Sequence, residues 1–204
     1  MCDFEIEREL LDRNYKYICG IDEVGRGAAF GPVVAGAVIL NPDKLNYDIR
    51  DSKKLRPQKR VELARFIYSN AVAFSIGWCW NDEIDEINIL EATKKSIKMA
   101  IRGLQFLPDY VLIDGMKPDF IGIEGVGIIK GDDISLSIAA ASIIAKVFRD
   151  QLMTSISPFF PGYEIDSHKG YLTRKHVDAI LTKGMTIFHR ESFKIGHTTW
   201  QKTG

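Results

Sequence analysis

The chain has 204 residues, 46% of them hydrophobic and 26% charged, with 27 basic side chains set against 27 acidic ones. These figures describe an ordinary globule with chain enough for one sizeable core, and the zero balance gives no support to nucleic-acid binding. No Pro/Ser/Gly-rich linker, repeat or apolar run of membrane-spanning length occurs, so a single domain with no membrane segment is expected.

In chain order, residues 4–13 carry an amphipathic pattern that predicts a short helix, and 16–22 read as a strand. That strand's apolar run, Tyr17-Ile18-Cys19-Gly20-Ile21, ends on two acids, Asp22 and Glu23, and a Gly25-Arg26-Gly27 turn follows. Residues 32–40 are a second, heavily buried strand, and Pro57 suits the first turn of a helix over 56–69. Residues 71–80 form a third strand, on which Trp78 and Trp80 put two rings on one face as core packing. Helical patterns fill 82–88 and 89–105, and 110–115 is a fourth strand that again closes on an acid and a glycine, Asp114 and Gly115. A fifth strand covers 126–130.

Gly131-Asp132-Asp133 then opens the longest helix, over 134–155, and its Ala139-Ala140-Ala141 stretch is slim enough to lie close against a sheet. A shorter helix over 173–183 precedes an irregular basic tail. Three strands, helices, then strand–strand–helix predict an α/β domain with a mixed, five-stranded central sheet flanked by helices and a small C-terminal helical segment. In such sheets ligands sit beyond the carboxyl ends of parallel strands, where Asp22 and Asp114 would converge.

Charge is patterned more tellingly than its total. Acids crowd 3–12 and 82–91, and bases crowd 50–60 and the last forty residues. Each run alone reads as a solvated helix face; two basic runs folded to one side of an acidic site would track a phosphate backbone. Three cysteines without Cys-x-x-Cys spacing read as reduced structural thiols, and the acidic start is no signal peptide, so a cytoplasmic protein is expected.

Asp22, Glu23, Asp114 and Asp132 stand apart from the other acids. Each lies beside or near a glycine at a strand end or a helix start. An acid before glycine is ordinarily a turn, and Asp133 suits a helix N-cap. Four ionised carboxylates close together repel, however, and tolerate one another only around cations; an all-oxygen set suits Mg²⁺ or Mn²⁺. Two such ions can activate a water and stabilise the leaving oxygen of a phosphodiester. The other constellations are weaker. The glycines at 25, 27 and 31 lack dinucleotide-loop spacing, and the four histidines lack zinc spacing and read as surface or phosphate-side groups. Ser135 and Ser137 read as helix-start residues.

The ordered motifs also resemble a family. Gly20-Ile21-Asp22-Glu23-Val24-Gly25-Arg26-Gly27, Gly31-Pro32-Val33-Val34, Asp51-Ser52-Lys53-Lys54-Leu55, Ile113-Asp114-Gly115 and Lys130-Gly131-Asp132 are similar to those of type 2 ribonucleases H. Ala139 to Val147 with Arg149-Asp150, His168-Lys169-Gly170-Tyr171 and His189-Arg190 continue the match, which spans about 15–195. The resemblance implies an RNase H-like fold and divalent-metal-dependent hydrolysis of RNA in RNA–DNA hybrids, single ribonucleotides embedded in duplex DNA included. It puts the metal ligands at Asp22, Glu23, Asp114 and Asp132, held to two Mn²⁺ or Mg²⁺ ions. It puts readout of the ribose 2′-hydroxyl at Gly25, Arg26 and Gly27, packing against the adjoining deoxyribose at Tyr171, and phosphate contacts at Lys53, Lys146 and Arg149. A monomer acting on nucleic acid is implied. The nearer alternative, a type 3 enzyme, carries a further N-terminal domain; a non-catalytic binder gains nothing from clustered acids facing phosphates.

Overall fold

The computed structural model describes residues 2–46, 48–49 and 55–194. Lys53 and the Asp51-Ser52-Lys53-Lys54 motif lie outside the described residues. Five strands, β1 (Ile18–Val24), β2 (Val33–Ile39), β3 (Ala73–Cys79), β4 (Tyr110–Asp114) and β5 (Gly125–Ile128), form one sheet in the order β3-β2-β1-β4-β5. β1, β2 and β3 run as an antiparallel meander, whereas β1–β4 and β4–β5 are parallel. The sheet is therefore mixed, as the element order predicts.

Helices cover both faces. On one lie α1 (Glu5–Asp12), α2 (Pro57–Asn70) and α4 (Leu136–Ile156), with a core of Val38, Leu63, Ile67, Ala140 and Ile144 among others. The opposite face takes α3 (Asn81–Arg102), whose Ile97, Ala100 and Ile101 pack on Cys19, Ile21, Ala37 and Ile113. Two short helices, α5 (Ile165–His168) and α6 (Arg174–Lys183), build a separate apolar cluster with Phe30, Met153, Tyr163 and Ile180. The central strand is apolar on both faces because both are covered.

Element ends shift by a residue or two in several places, and three features depart further from the sequence reading, each for a local reason. β1 does not stop at Asp22: it runs through Glu23 to Val24, because β2 continues to pair with both acids (Asp22 with Gly36, Glu23 with Ala35). What stops there is the parallel pairing, whose last partners are Ile21 and Ile113. The two helical patterns at 82–88 and 89–105 are one helix kinked at Asn88, where φ is 69°. Asparagine tolerates that left-handed region, and its Oδ1 accepts from the backbone N–H of Leu90 and Glu91 to restart the helix. The tryptophans do not share a buried strand face. Trp78 is 37% exposed and stacks on Phe148, whereas Trp80 lies past the end of β3, caps α3 and stacks on Phe188.

The constraint that positions everything else is the seat of α4. A Cβ at Gly20 would overlap the Ser137 carbonyl, and one at Gly36 would overlap the Ala141 carbonyl oxygen. With hydrogens there instead, α4 lies backbone to backbone across β1 and β2, its alanines at 139–141 fully buried. The start of α4 is held by Ser135, whose Oγ accepts from the Ile138 N–H, and by the buried Glu7 of α1. Glu7 Oε1 accepts from Ser135 Oγ at 2.6 Å, from the Ser137 N–H at 2.9 Å and from Ser137 Oγ. We expect Gly20→Ala to lift α4 and lower stability by about 3 kcal/mol. Gly27→Ala, where an added Cβ meets nothing within 4 Å, should change it by less than about 0.5 kcal/mol. Equal melting shifts for the two variants would refute the seating argument.

Candidate active site

Beyond the carboxyl ends of β1 and β4 the sheet opens into a cavity of about 330 Å³ lined by Asp22, Glu23, Asp114, Asp132, Arg60, Ser142 and Lys146. All four acids singled out in the sequence are there. Asp22 and Glu23 come from the end of β1, and Asp114 is the last residue of β4. Asp132 comes from the single 3-10 turn Gly131–Asp133 that leads to α4. That turn is tied to β4 by the Gly131 N–H, which donates to Asp114 Oδ1 at 2.6 Å. The two adjacent acids differ in burial: Asp132 is 1% exposed and lines the cavity, while Asp133 is exposed.

Crowding and burial set the electrostatics. Burial, with Glu23, Asp114 and Asp132 adding repulsion, raises the Asp22 carboxyl from its ordinary 3.8 to about 8, and a hydrogen bond from Ser142 opposes the rise. Glu23 is likewise pushed up by burial and restrained by Arg26, whose Nη1 donates to Glu23 Oε1 at 3.1 Å. Glu23 Oε2 is buried with no hydrogen-bond partner among the described residues. Among those residues no three His, Cys, Asp or Glu side chains are already closed into a cage that could hold an ion. The carboxylates instead rim an open cavity, which fits a hard divalent ion that keeps some of its waters. An all-oxygen donor set with one unbonded buried oxygen and one proton ready to be displaced fits Mg²⁺ or Mn²⁺ and not zinc.

The Gly25-Arg26-Gly27 turn stands beside this cavity, and two buried arginines hold it. Arg149, expected at a phosphate, is fully buried instead. Its Nε donates to the carbonyl of Pro32 at 3.0 Å, Nη1 to that of Lys169 at 2.8 Å and Nη2 to that of Phe30 at 3.1 Å. Its side chain also fills the space beside Gly25, whose φ of 88° and lack of a Cβ the packing requires. Arg190, also fully buried, donates from Nε to the Gly31 carbonyl and from Nη1 to the Arg26 carbonyl. Each of the three Arg149 nitrogens is engaged on a carbonyl, and the side chain is shut off from solvent. Lys146, by contrast, lines the cavity and pairs with Asp150 at 2.7 Å.

Tyr171 sits on the same assembly. Its ring lies over the Arg149 guanidinium, 5.4 Å from carbon to centroid, and the Ala29 N–H donates to the carbonyl of Gly170 just before it. One face of α4 thus serves the whole site: Ser142, Lys146, Arg149 and Met153 recur every three or four residues, touching in turn Asp22, the cavity, Gly25 of the turn and the apolar cluster around Phe30 and Tyr163. Sequence reasoning gave no role to Ser142, Arg60 or Arg190. A lone hydroxyl inside the apolar run 138–145 was a legible signal for the first; the arginines' partners lie too far along the chain to be read.

The histidines also differ from expectation. His176 and His189 are fully buried, not surface groups, and His168 stacks on His176 with ring centroids 4.2 Å apart. Burial pulls the His176 imidazole down to about 4, which keeps it neutral.

The Ribonuclease HII family model matches residues 19–196. The chain belongs to the ribonuclease HII family. Ribonuclease HII of Caldicellulosiruptor saccharolyticus is 45% identical over 190 residues, 93% of each chain, and that of Shouchella clausii is 49% identical over 92% of this chain and 72% of its own. Among solved structures, the Archaeoglobus fulgidus ribonuclease HII, determined in complex with PCNA, superposes with a TM-score of 0.76 at 25% identity, covering 91% of this chain and 98% of that one. A ribonuclease HIII with Mn²⁺ shares the fold at a TM-score of 0.57 and 20% identity, covering 82% of this chain and 63% of that one. Family membership makes the chain an enzyme, a metal-dependent ribonuclease H that acts as an endonuclease on RNA–DNA. Among the described residues no helix is long and apolar enough to cross a membrane.

A proton held on Asp22 has two measurable consequences. Between about pH 4 and about pH 8 the unfolded chain has lost this proton while the folded, metal-free protein keeps it, so folding stability falls as pH rises through that window. We expect the metal-free melting temperature to fall over this range, and the fall to be smaller in Asp22→Asn. Calorimetry in buffers of different ionisation enthalpy should show proton release on Mg²⁺ or Mn²⁺ binding at neutral pH. Identical heats across buffers would mean that Asp22 is already ionised.

Proposed function

We propose that this chain hydrolyses the RNA strand of RNA–DNA hybrids and also cuts on the 5′ side of single ribonucleotides embedded in duplex DNA. The observation that carries the reading is the open cavity rimmed by Asp22, Glu23, Asp114 and Asp132, set against a turn whose Arg26 carbonyl accepts from the buried Arg190 and whose Gly25 packs on the buried Arg149.

Two divalent ions, Mg²⁺ or Mn²⁺, held by those four acids would activate a water and neutralise the leaving oxygen. The chain's own residues do the rest. Asp22 gives up its proton on loading, and the Ser142 hydroxyl orients its carboxylate. Lys146, at the cavity wall, meets the phosphate beside the cut, and Lys53 is assigned a further phosphate. The water oxygen bonds to phosphorus and the bond from phosphorus to the upstream 3′-oxygen breaks. That oxygen takes up a proton and leaves as a 3′-hydroxyl, and the ribonucleotide keeps a 5′-phosphate. No covalent enzyme intermediate is formed.

Selection falls to the neighbouring turn. The 2′-hydroxyl is what distinguishes RNA from DNA at one position. Backbone groups of Gly25, Arg26 and Gly27 reach it because no side chain intervenes at the glycines. Tyr171 packs against the adjoining sugar, where a second hydroxyl would crowd the ring. We assign Arg149 no phosphate; its part is to hold the turn and carry the tyrosine. A monomer in the cytoplasm suffices, since one chain lines the whole cavity and all three cysteines are free thiols.

The deciding assay incubates the protein with labelled duplex DNA containing one ribonucleotide, with Mg²⁺ or Mn²⁺, beside an all-DNA duplex. One cut, 5′ of the ribonucleotide, with no cut in the control is expected. Asp22→Asn should lower turnover at least about a hundredfold, the scale on which single preorganised electrostatic groups act, while hybrid binding in Ca²⁺ persists; undiminished turnover would remove the central claim. Tyr171→Ala should cost about tenfold in preference for the single-ribonucleotide junction over a uniform hybrid. An unchanged preference would overturn its assigned role.

A further inference from the structure

His168, His176 and His189 form a cluster whose proton positions are all dictated by backbone groups. The Tyr171 carbonyl can only accept, so His176 Nδ1, 3.0 Å away, carries a hydrogen. The Thr186 N–H can only donate, so His189 Nδ1, 2.8 Å away, is bare and its hydrogen is on Nε2. The remaining contact, between His189 Nε2 and His176 Nε2 at 3.1 Å, is then a hydrogen bond from the first to the second. His168 is fixed by the same logic: its Nε2 donates to the Tyr163 carbonyl at 2.6 Å, and its Nδ1 accepts from the Gly170 N–H at 3.2 Å. The chain therefore runs in one direction, from Thr186 through His189 and His176 to the Tyr171 carbonyl.

Its end-point is the backbone of the residue that the proposed selection depends on. The Tyr171 carbonyl accepts from His176 Nδ1 and from the Thr173 N–H, and the Tyr171 N–H donates to the His168 carbonyl. The same rings also touch the turn side. Phe30 lies edge-on to His189 at 5.0 Å and to His176 at 6.4 Å, and the Arg190 N–H, next in chain to His189, donates to the Ala29 carbonyl. Asn81 Nδ2 donates to the Ile187 and His189 carbonyls, so the far end of the chain is anchored to the start of α3.

We propose that this histidine chain is a brace that sets the Tyr171 ring at a fixed height relative to the Gly25-Arg26-Gly27 turn, with His176 as a positioning residue for junction selectivity. The inference rests on the part given to Tyr171 above. Neither ring touches the cavity acids, so the brace acts on the choice of substrate and not on the chemical step.

Amides separate the two bonds of His176. An asparagine can present its N–H where Nδ1 stood, and a glutamine can present its carbonyl where Nε2 stood. His176→Asn should therefore keep the bond to Tyr171 and hold the ratio of kcat/KM for the single-ribonucleotide duplex to that for a uniform hybrid within about twofold. His176→Gln, which keeps only the bond from His189, should lower the ratio about fivefold to tenfold, with kcat on the uniform hybrid little changed. If His176→Gln does not fold, His176→Phe takes its place, since it keeps a ring in the packing and removes the bond to the Tyr171 carbonyl; the same fall is expected. In the unaltered protein, ¹⁵N spectra should show His176 protonated at Nδ1 and His189 at Nε2 at neutral pH.

Tyr171→Ala, run alongside, separates the failures. An unchanged ratio in Tyr171→Ala overturns the reading of the tyrosine and the brace with it. A fall in Tyr171→Ala with none in His176→Gln, or equal losses in the Asn and Gln variants, overturns the brace alone. Opposite tautomers in the spectra would also overturn it.

Discussion

Two missing side chains, at Gly20 and Gly36, let α4 lie against the central strands at backbone distance, and the rest of the site depends on that contact. An ordinary helix–sheet separation would draw Ser142 back from Asp22 and Lys146 back from the cavity they share. It would also leave Arg149 short of the carbonyls of Phe30, Pro32 and Lys169 that it now reaches. The close seat carries little apolar bulk of its own, since its centre is Ala139, Ala140 and Ala141. Its stability comes from the layers on either side, and from Glu7 holding the first turn in place.

The protein keeps its two buried cations away from the acids of the cavity, where a simpler design would pair them. Four acids crowd one cavity, while Arg149 and Arg190 are buried against backbone carbonyls a short distance away. Burying a guanidinium is costly, and a carboxylate partner is the usual compensation. Here carbonyl oxygens of the 26–32 segment take that part, so the cations act as cross-links for a loop that has little regular structure of its own. With both buried arginines engaged on carbonyls, the acids remain open to divalent ions. A net charge of zero conceals this division completely.

Much of this is legible in the sequence. Hydrophobic periodicity gave the five strands and the long helices, and acids beside glycines at strand ends or a helix start gave the four acids among the residues that line the cavity. The break in pattern at residue 88 was a kink and not a gap, because asparagine can turn the chain and cap the next helical turn. Pairing over long sequence separation, by contrast, could not be read. Arg149 has the chemistry of a phosphate ligand, and only its distant carbonyl partners assign it elsewhere. The histidines have no helical metal spacing, and a buried chain of neutral imidazoles leaves no periodic trace either. Trp78 misled because an edge strand can leave a large ring half open to solvent.

The stripe Ser142, Lys146, Arg149, Met153 has a further consequence. Ser142 and Arg149 are seven residues apart, so helical rise alone sets them about 10 Å apart along one rigid axis. The acids of the cavity and the Gly25-Arg26-Gly27 turn are thus gauged against each other by a count of residues. Adding or removing one residue within that interval would swing everything beyond it by about 100°, aiming Arg149 away from the loop it fixes. Over this stretch the chain can trade one side chain for another, but its length is not free to drift.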